Sequence, residues 1–191
     1  QTKITAADLG KAKRRIGTLG FAPGANGVHN SKTLVIKFAH HKGALTTNFA
    51  RNLGGGAVTV LNEANHSWKM TGSAWSNIGL TNTFDYDPAK GDLLLDITVT
   101  GNSTTGSSNA ACKTGARPRL YAFNWTTPPA TGNMSTSSAL KMRVCHKPYV
   151  PSQKAQVSPA LATNVEGNSY TNYPFGYYKM RYQQHHVDLG G

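Results

Sequence analysis

Histidines are the side chains in this sequence whose type and spacing could most readily bind a metal ion. The chain holds seven of them, including two adjacent pairs, His40–His41 and His185–His186. Neighbouring residues on a strand point to opposite faces, so one pair cannot chelate an ion with both rings. A site would need one ring from each pair, together with His66 or His146. We therefore expect surface histidines and predict no metal centre.

Acidic residues offer a second possible metal site, because four of the eight in the chain lie close together: Asp85, Asp87, Asp92 and Asp96. Their spacing imitates the first, third and twelfth positions of a calcium-binding EF-hand loop. Ala89 stands at the fifth, ligand position and Lys90 at the position that requires glycine, so the match fails. We expect a turn capped by these carboxylates. Calcium held by Asp85, Asp87 and Asp92 is the minor alternative.

Signatures of hydrolases and nucleotide-binding enzymes do not occur in the sequence. It has no Gly-x-Ser-x-Gly, no His-Glu-x-x-His and no phosphate-binding loop. Two catalytic carboxylates could be drawn from Glu63, Asp96, Glu166 and Asp188, but nothing singles out a pair. We therefore predict that the protein is not an enzyme and uses no cofactor.

The charge of the chain is strongly unbalanced. Twenty Lys and Arg residues oppose eight Asp and Glu residues, for a formal net charge of +12. Such a field attracts polyanions, among them acidic polysaccharides and anionic cell surfaces. Only Lys11, Lys13, Arg14 and Arg15 are clustered, and no nucleic-acid-binding motif surrounds them, so we expect no specific nucleic-acid partner. No window approaches eighteen consecutive apolar residues, so we also expect no membrane span.

Aromatic residues suggest a different kind of binding site. Tryptophan and tyrosine rings stack on sugars when they are exposed in a row, but they also fill the cores of β-sandwiches. Trp68 and Trp125 lie on alternating stretches and are predicted to be core residues. The residues predicted to be exposed, and therefore available to a glycan, are Trp75, Tyr170, Tyr173 and Tyr177.

Two cysteines, Cys112 and Cys145, bear on the redox environment in which the protein works. They lie 33 positions apart without a Cys-x-x-Cys motif, which is typical neither of zinc sites nor of redox pairs. An even count in a chain rich in Ser, Thr and Asn favours one structural disulfide in an oxidising environment, with two buried thiols as the alternative. The chain begins at Gln1, which we interpret as a mature form after cleavage. We expect a secreted or cell-surface protein.

The elements that would position these residues are mostly strands. Alternating or β-branched stretches, separated by Gly, Pro and Asn turns, predict strands at 32–40, 57–61, 67–71, 93–99, 119–125, 139–145 and 179–187. The strand at 93–99 starts with a run of leucines and is predicted to be central. Only residues 6–15 have helical character, and they could equally form an insertion on a loop. The fold class is therefore predicted to be all-β, a two-sheet, jelly-roll-like β-sandwich.

Four regions divide the chain. Residues 1–15 are a basic N-terminal segment, and residues 16–147 are the sandwich. Residues 148–169 contain prolines without any clear period and are predicted to be an extended linker. Residues 170–191 are rich in aromatics and hold the last predicted strand, which would complete its own sandwich or a neighbouring one.

Two segments resemble a group of secreted bacterial proteins of unassigned activity, many of which carry an exosortase-type (PEP-CTERM) sorting tail. The first is Leu45–Gly54 (LTTNFARNLG) and the second is Thr83–Ile97 (TFDYDPAKGDLLLDI). The resemblance implies an extracellular β-sandwich and no chemistry, since that group has no assigned catalytic residues. The sorting tail is absent here.

The order of the segments departs from that group. Its members usually begin with Arg-Tyr-Gln-Gln, followed by a strand of the type Ile-Thr-x-Ile-x-Phe-x-Pro. Here Arg181–Gln184 (RYQQ) stands near the C-terminal end, whereas Ile16–Pro23 stands near the start. The resemblance thus implies a circular permutation, in which the first strand of the fold has moved to the end.

A sandwich that lacks its first strand exposes an unpaired edge, which another strand must cover. We predict that an assembly strand covers it: Met180, Arg181, Tyr182, Gln183, Gln184, His185, His186 and Val187. Folding back would give a monomer. Adding to the next copy would give a head-to-tail filament by donor-strand complementation. The long linker favours a filament or matrix subunit. The alternative is a monomeric secreted module that binds acidic polysaccharide or cell-surface glycan.

Overall fold

The computed structural model describes residues 1–22, 26–72, 74–106, 112–114, 118–136, 138–149 and 185–188. The strands in these ranges are β1 (Thr2–Ile4), β2 (Arg14–Phe21), β3 (Gly27–His41), β4 (Val58–Met70), β5 (Ser76–Tyr86), β6 (Asp92–Thr100), β7 (Ser103–Gly106), β8 (Cys112–Thr114), β9 (Arg119–Tyr121), β10 (Asn133–Ser135), β11 (Ser138–Leu140), β12 (Met142–Pro148) and β13 (His185–Asp188). One short helix, α1 (Phe49–Leu53), and two 3-10 turns, Gly54–Gly56 and Pro88–Lys90, complete the described elements.

Two antiparallel sheets form the body of the protein. The large sheet has the order β10-β9-β1-β6-β3-β4, with β7 also paired to β3, and the small sheet has the order β13-β12-β2-β5. Strands β8 and β11 form a separate two-stranded ribbon. The predicted all-β sandwich is confirmed. Strand β1 lies inside the large sheet, so residues 1–15 belong to the sandwich and are not a separate N-terminal segment.

Apolar side chains from both sheets form one core. Leu34, Ile36 and Phe38, which the alternation of β3 places on one face, are all buried. Other buried members are Ile16, Leu19 and Phe21 of β2, Phe84 and Tyr86 of β5, Leu93 and Leu95 of β6, and Met142 and Val144 of β12. Burying each large apolar side chain contributes about 1.5–3 kcal/mol. The inner faces of the two sheets are thereby held together.

The leucine run of β6 is apolar on both faces because β6 is covered on both sides. Leu93 and Leu95 belong to the inter-sheet core. Leu94 packs instead in a small outer cluster with Ala39 and Leu45, against which Leu53 of α1 also packs. The prediction that this strand is central is confirmed, since β6 lies between β1 and β3.

One row of residues across the large sheet reverses which positions face inward. Asn65 has a φ of 54° and Gly101 a φ of 60°, and both lie level with Lys32 in the register of β3. The buried residues of β3 that face the inter-sheet core have even numbers after this row, as at Leu34, and an odd number before it, at Ser31. Left-handed backbone is tolerated at Gly and Asn. Because of this reversal, the large sheet keeps an inner face on both sides of the row at Lys32.

The first of the two resembling segments packs as a loop around a buried asparagine. Asn52 is 2% exposed. Its side-chain oxygen accepts hydrogen bonds from the Thr46 backbone N–H (2.8 Å) and hydroxyl (2.9 Å), and its amide donates to the Thr46 carbonyl (2.8 Å) and to Gln1 Oε1 (3.0 Å). Asn48 caps α1 by accepting from the Arg51 N–H. These bonds fix α1 against the large sheet.

The second resembling segment contains a tight turn between β5 and β6. The Asp87 side chain accepts from the Ala89 N–H at 3.1 Å, and Pro88 occupies the first position of the 3-10 turn. Gly91 follows with a φ of 129°, and a Cβ there would lie 2.6 Å from the His41 carbonyl oxygen. Only glycine fits such backbone without strain. The predicted capped turn is therefore observed.

Residues 6–15 do not form the predicted helix. The Asp8 carboxylate accepts the Thr5 backbone N–H at 2.8 Å and closes a turn. Gly10 and Lys11 follow with φ angles of 81° and 52°. A positive φ ends a right-handed helical turn. The chain then enters β2 at Arg14, so the helical interpretation is wrong and the alternative of a loop is closer to the structure.

Several strand boundaries differ from the predicted ones. The predicted strands 57–61 and 67–71 are parts of one strand, β4, because the left-handed residue within it bends the strand without ending it. The predicted strand 119–125 is limited to β9, and Asn124, with a φ of 57°, lies beyond its end. The predicted strand 139–145 is divided between β11 and β12, which pair in different sheets.

Candidate strand-acceptor edge and interior cavity

Strand β13 lies at the edge of the small sheet and covers β12. It pairs antiparallel with β12 from Arg143 opposite Asp188 to His146 opposite His185. On its other side β12 pairs with β2. The covered part of β12 is buried, with Val144 0% exposed and Cys145 2% exposed. We call this side of β12 the acceptor edge, because it takes up a strand that arrives from far along the chain.

The predicted assembly strand is partly within the described residues. His185, His186 and Val187 lie in β13, together with Asp188. Residues Met180 to Gln184 lie outside the described residues. Tyr149, which follows β12, and His185, which opens β13, are 36 positions apart in the sequence. Antiparallel neighbours in a hairpin are commonly joined by about two to five residues. The connection is therefore far longer than the pairing itself requires.

A half-open cavity of about 810 Å³ is lined by residues from both sheets and from α1; we call it the interior cavity. Its walls are mainly apolar and include Leu34, Leu95, Ile97, Val99 and Leu140. The reversal of facing positions in β3 and β4 brings His29, Ser31, His66, Trp68 and Met70 to the same cavity. A cavity of this size lies in the range of sites that hold drug-sized molecules, about 300–1,000 Å³.

Two polar atoms at this cavity have no hydrogen-bond partner among the described residues. They are Trp68 Nε1 and His66 Nε2, and both atoms are buried. His66 Nδ1 lies 2.5 Å from Glu63 Oε2, and a carboxylate accepts hydrogen bonds, so we place the proton on Nδ1. In the neutral ring, Nε2 is then an acceptor. With a neutral His66 ring, the cavity therefore presents a donor at Trp68 and an acceptor at His66 that have no partner among the described residues.

Sequence reasoning placed Trp68 correctly on a strand against the core, where it packs edge-on to Phe21 with ring centroids 4.9 Å apart. It considered His66 only as a metal ligand. That His66 and Trp68 share a face follows from their spacing of two along β4. That their ring nitrogens have no partner among the described residues follows only from the fold.

Tyr121 at the end of β9 and Trp125 beyond it line one side of the cavity, and Phe123 lies between them in the chain. The rings of Tyr121 and Phe123 are 4.9 Å apart, and the Arg119 guanidinium lies over the Tyr121 ring at 4.8 Å. Phe123 is 68% exposed, which is unusual for a large apolar ring. Trp125 lies beside them, and its Nε1 donates to the Ala122 carbonyl oxygen at 3.4 Å. These rings form an exposed aromatic surface next to a cation.

Of the residues predicted for glycan binding, the structure describes only Trp75. Trp75 lies beneath the Arg143 guanidinium, 3.9 Å from its ring centroid, so its face is already used. Tyr170, Tyr173 and Tyr177 lie outside the described residues. In the described part, Phe123 is exposed and Tyr121 beside it is partly exposed; alternation alone assigned both to a strand.

The proposed Cys112–Cys145 disulfide remains a prediction. Cys145 lies on β12 and is buried. The backbone of Cys112 pairs with Leu140 in the ribbon of β8 and β11, but its side chain lies outside the described part of the structure.

The three carboxylates of the minor calcium hypothesis each face a cation: Asp85 pairs with Arg15 at 2.6 Å, Asp87 with Lys13 at 3.0 Å and Asp92 with Lys3 at 3.4 Å. These ion pairs join the end of β5, the turn after it and the start of β6 to β1, to β2 and to the residue before β2. Among the residues that the structure describes, no group of three or more His, Cys, Asp or Glu side chains is arranged to hold a metal ion.

The first histidine pair supports the turns around it. His41 lies within hydrogen-bond distance of the Asn52 carbonyl through Nδ1 (2.9 Å). His40 Nε2 accepts the Asp87 backbone N–H at 2.9 Å, and its ring stacks on Tyr86 at 5.7 Å. Burial, and to a lesser extent the nearby Lys90 charge, lower the pKa of His40. The pKa of Tyr86 is raised to about 12, chiefly by burial.

No protein-family model matches the chain, and no similar curated protein or solved structure is found. The resemblance of Leu45–Gly54 and Thr83–Ile97 to secreted exosortase-sorted proteins therefore stays a prediction. In the described part of the chain, no helix has the length and apolar character needed to cross a membrane.

Proposed function

We propose that this protein is the subunit of an extracellular filament or matrix, assembled by donor-strand complementation. In the assembly, the C-terminal strand of one copy adds to the acceptor edge of the next. The observation that carries the proposal is the pairing of His185–Asp188 with β12 across a connection of 36 positions. Main-chain hydrogen bonds along the edge would supply most of the contact, as in other strand-addition complexes.

The length of the connection supports exchange between copies. An extended chain spans about 3.3 Å per residue, so 36 residues reach roughly 120 Å. A compact domain of this size is about 35–40 Å across. The same strand can therefore pair with its own β12 or with that of a neighbour, through the same contacts. Exchange of an identical element is a low-cost route to assembly, and a head-to-tail contact that does not close gives an open filament.

The acceptor edge also has to be covered. Without β13, β12 would present unpaired N–H and C=O groups beside the buried Val144, an arrangement that promotes unwanted pairing between sheets. A neighbour's strand removes this hazard in every copy except the one at the end of the filament. On the opposite side of the small sheet, the edge strand is β5.

The proposal is tested with the full-length chain carrying Val187→Pro, with Val187→Thr as the matched control. Proline removes a backbone donor and is poorly tolerated in strand pairing, whereas threonine keeps strand propensity. We expect the wild type and Val187→Thr to form polymers, seen by light scattering and electron microscopy. Val187→Pro should raise the concentration needed for assembly at least tenfold. A wild-type chain that stays monomeric at high concentration would refute the filament.

The second candidate function is a monomeric module that binds acidic polysaccharide. The exposed Phe123 ring beside Tyr121, with Arg119 above the tyrosine, supports it, as does the net charge of +12. Aromatic faces stack on sugars, and the guanidinium pairs with carboxylate or sulfate groups. Heparin is a suitable probe. Phe123→Ala should weaken its binding several-fold, whereas Val58→Ala, at an exposed position on β4, should not; equal affinities would refute this site.

A further inference from the structure

We propose that the acceptor edge selects its donor strand by charge. Arg143 of the accepting subunit, held in place by Trp75, pairs with Asp188 of the strand that a neighbouring copy supplies. The inference rests on the proposed filament and deepens it, because it names the residues that decide which strand the edge accepts and in which register. Main-chain hydrogen bonds cannot make that choice, since every strand offers the same backbone groups; in strand addition the side chains give specificity.

Arg143 is held by the indole ring of Trp75. Its guanidinium carbon lies 3.9 Å from the centroid of that ring, which is within the range of about 6 Å for cation–π attraction. The stacking engages the face of the planar guanidinium, whereas its N–H donors lie in the plane and can meet a carboxylate with two parallel bonds. The tryptophan therefore fixes the place at which a carboxylate can bind on the acceptor edge.

The backbone of β2 makes room for this arrangement at Gly20. Gly20 lies between Arg143 and Asn77 in the ladder of the small sheet. A Cβ at Gly20 would lie 2.7 Å from Asn77 Oδ1, 3.4 Å from the Arg143 Cβ and 3.7 Å from Trp75 Cε3. Glycine inside a strand is typical of places where other groups approach the backbone closely. The absence of a side chain here allows the indole ring to lie against β2 beside Arg143.

The charges of the edge and of the strand are complementary. Strand β12 (MRVCHKP) carries two cations, Arg143 and Lys147, and no acid, whereas β13 (HHVD) carries one acid and neither Lys nor Arg. Asp188 is one of only eight acidic residues in a chain with twenty Lys and Arg, and the register places it directly opposite Arg143. Opposite positions in an antiparallel ladder bring the Cβ atoms to about 4.5–5.5 Å, so opposite charges there attract and like charges repel.

The observed register suits this pair better than the neighbouring registers do. In it, Val187 stands opposite the buried Val144. A shift by one residue would exchange the two faces of the strand. A shift by two residues in one direction would place Asp188 opposite Cys145, which is 2% exposed, and a buried carboxylate without a partner is costly. The opposite shift would place a histidine opposite both Val144 and Arg143.

The test reverses each charge in the full-length chain. Asp188→Arg changes the donor strand, Arg143→Asp changes the acceptor edge, and a third chain carries both substitutions. The controls are Asp188→Glu, which keeps the charge of the strand, and Lys42→Asp, which makes the same change of net charge as Arg143→Asp at an exposed position after β3. Polymer is measured by light scattering and sedimentation over a range of concentrations, with circular dichroism to confirm folding.

Each charge reversal alone should raise the critical concentration for assembly at least tenfold, because like charges then face each other across the edge. The double variant should polymerise, since its pair is restored with the charges exchanged. An equimolar mixture of the two single variants should also polymerise, because the strand of each fits the edge of the other. The controls should behave as the wild type does. Trp75→Leu should raise the critical concentration of the wild type but add little to the defect of Arg143→Asp, because its ring acts through that guanidinium.

Other outcomes overturn the inference, and they separate it from the proposed filament. Single variants that polymerise like the wild type would leave strand exchange standing but would exclude the charge pair as its selector. Failure of both the double variant and the mixture would show that the two residues do not act as a pair. A double variant that polymerises while the mixture does not would place the pair within one chain and refute its role between copies. A wild type that stays monomeric would refute the filament, and with it the selection of a neighbour's strand.

Discussion

Replacing Asn52 with alanine should destabilise the fold substantially, because its side chain closes the loop that carries α1. The side chain makes four hydrogen bonds, three to Thr46 and one to Gln1, and is 2% exposed. Each such bond contributes about 0.5–1.5 kcal/mol net, and buried groups left unpaired cost more. Some of the freed groups of Thr46 will rehydrate. We therefore expect a loss of about 2–4 kcal/mol.

The assay is urea unfolding of the full-length chain, with Asn62→Ala as the matched control at an exposed position of β4. The control should change stability by no more than about 0.5 kcal/mol, as is usual at the surface. The m-value should be unchanged, since the same surface is exposed on unfolding. A loss below about 0.5 kcal/mol for Asn52→Ala would refute the reasoning, because it would mean that the loop folds without its buried amide.

Three further predictions concern pH, backbone strain and the cysteines. Burial lowers the folded-state pKa of His40, so its contribution to the free energy of unfolding should be fully present above about pH 6.5 and should fall as the pH drops below that value. The urea midpoint of His40→Gln should lose this pH dependence, and a variant that kept it unchanged would contradict the prediction. Gly91→Ala should cost more than about 1 kcal/mol in urea unfolding, because its φ of 129° and the 2.6 Å approach of a Cβ to the His41 carbonyl oxygen both oppose a side chain; a fully stable variant would disprove the strain. Non-reducing mass spectrometry should find Cys112 and Cys145 bridged, with a contribution to stability of about 3–4 kcal/mol, and two alkylatable thiols would exclude the bridge.

Much of the sandwich follows from local pattern. The alternation of Leu34, Ile36 and Phe38 predicts one buried face of β3, and the run Leu93–Leu95 predicts a central strand; both are observed. These predictions succeed because a strand needs only a period of two and a covered face. The capped turn at Asp87 follows from proline and glycine chemistry in the same local way.

The features that the sequence could not predict depend on contacts between residues that are far apart in the chain. The helical pattern of residues 6–15 is overridden by the Thr5–Asp8 turn and by left-handed backbone at Lys11. Asn65 is one asparagine among many, yet its positive φ changes the facing positions of β4 and so helps to build the cavity. The ring nitrogen of Trp68 has no hydrogen-bond partner among the described residues, and no sequence pattern encodes this.

The net charge separates the two proposed functions by the sign of their salt dependence. Copies that each carry +12 repel one another, so at low salt charge repulsion opposes filament growth. Raising the ionic strength from about 0.01 to 0.15 M shortens the screening length from about 30 to 8 Å. Strand exchange rests on main-chain hydrogen bonds and apolar burial, which salt leaves largely intact, so a filament should assemble more readily as salt increases. Attraction between the same charge and an acidic polysaccharide should weaken over that range. Filament assembly and polysaccharide binding should therefore change in opposite directions as the salt concentration rises. The direction measured with the full-length chain shows which of the two functions the positive charge opposes and which it supports.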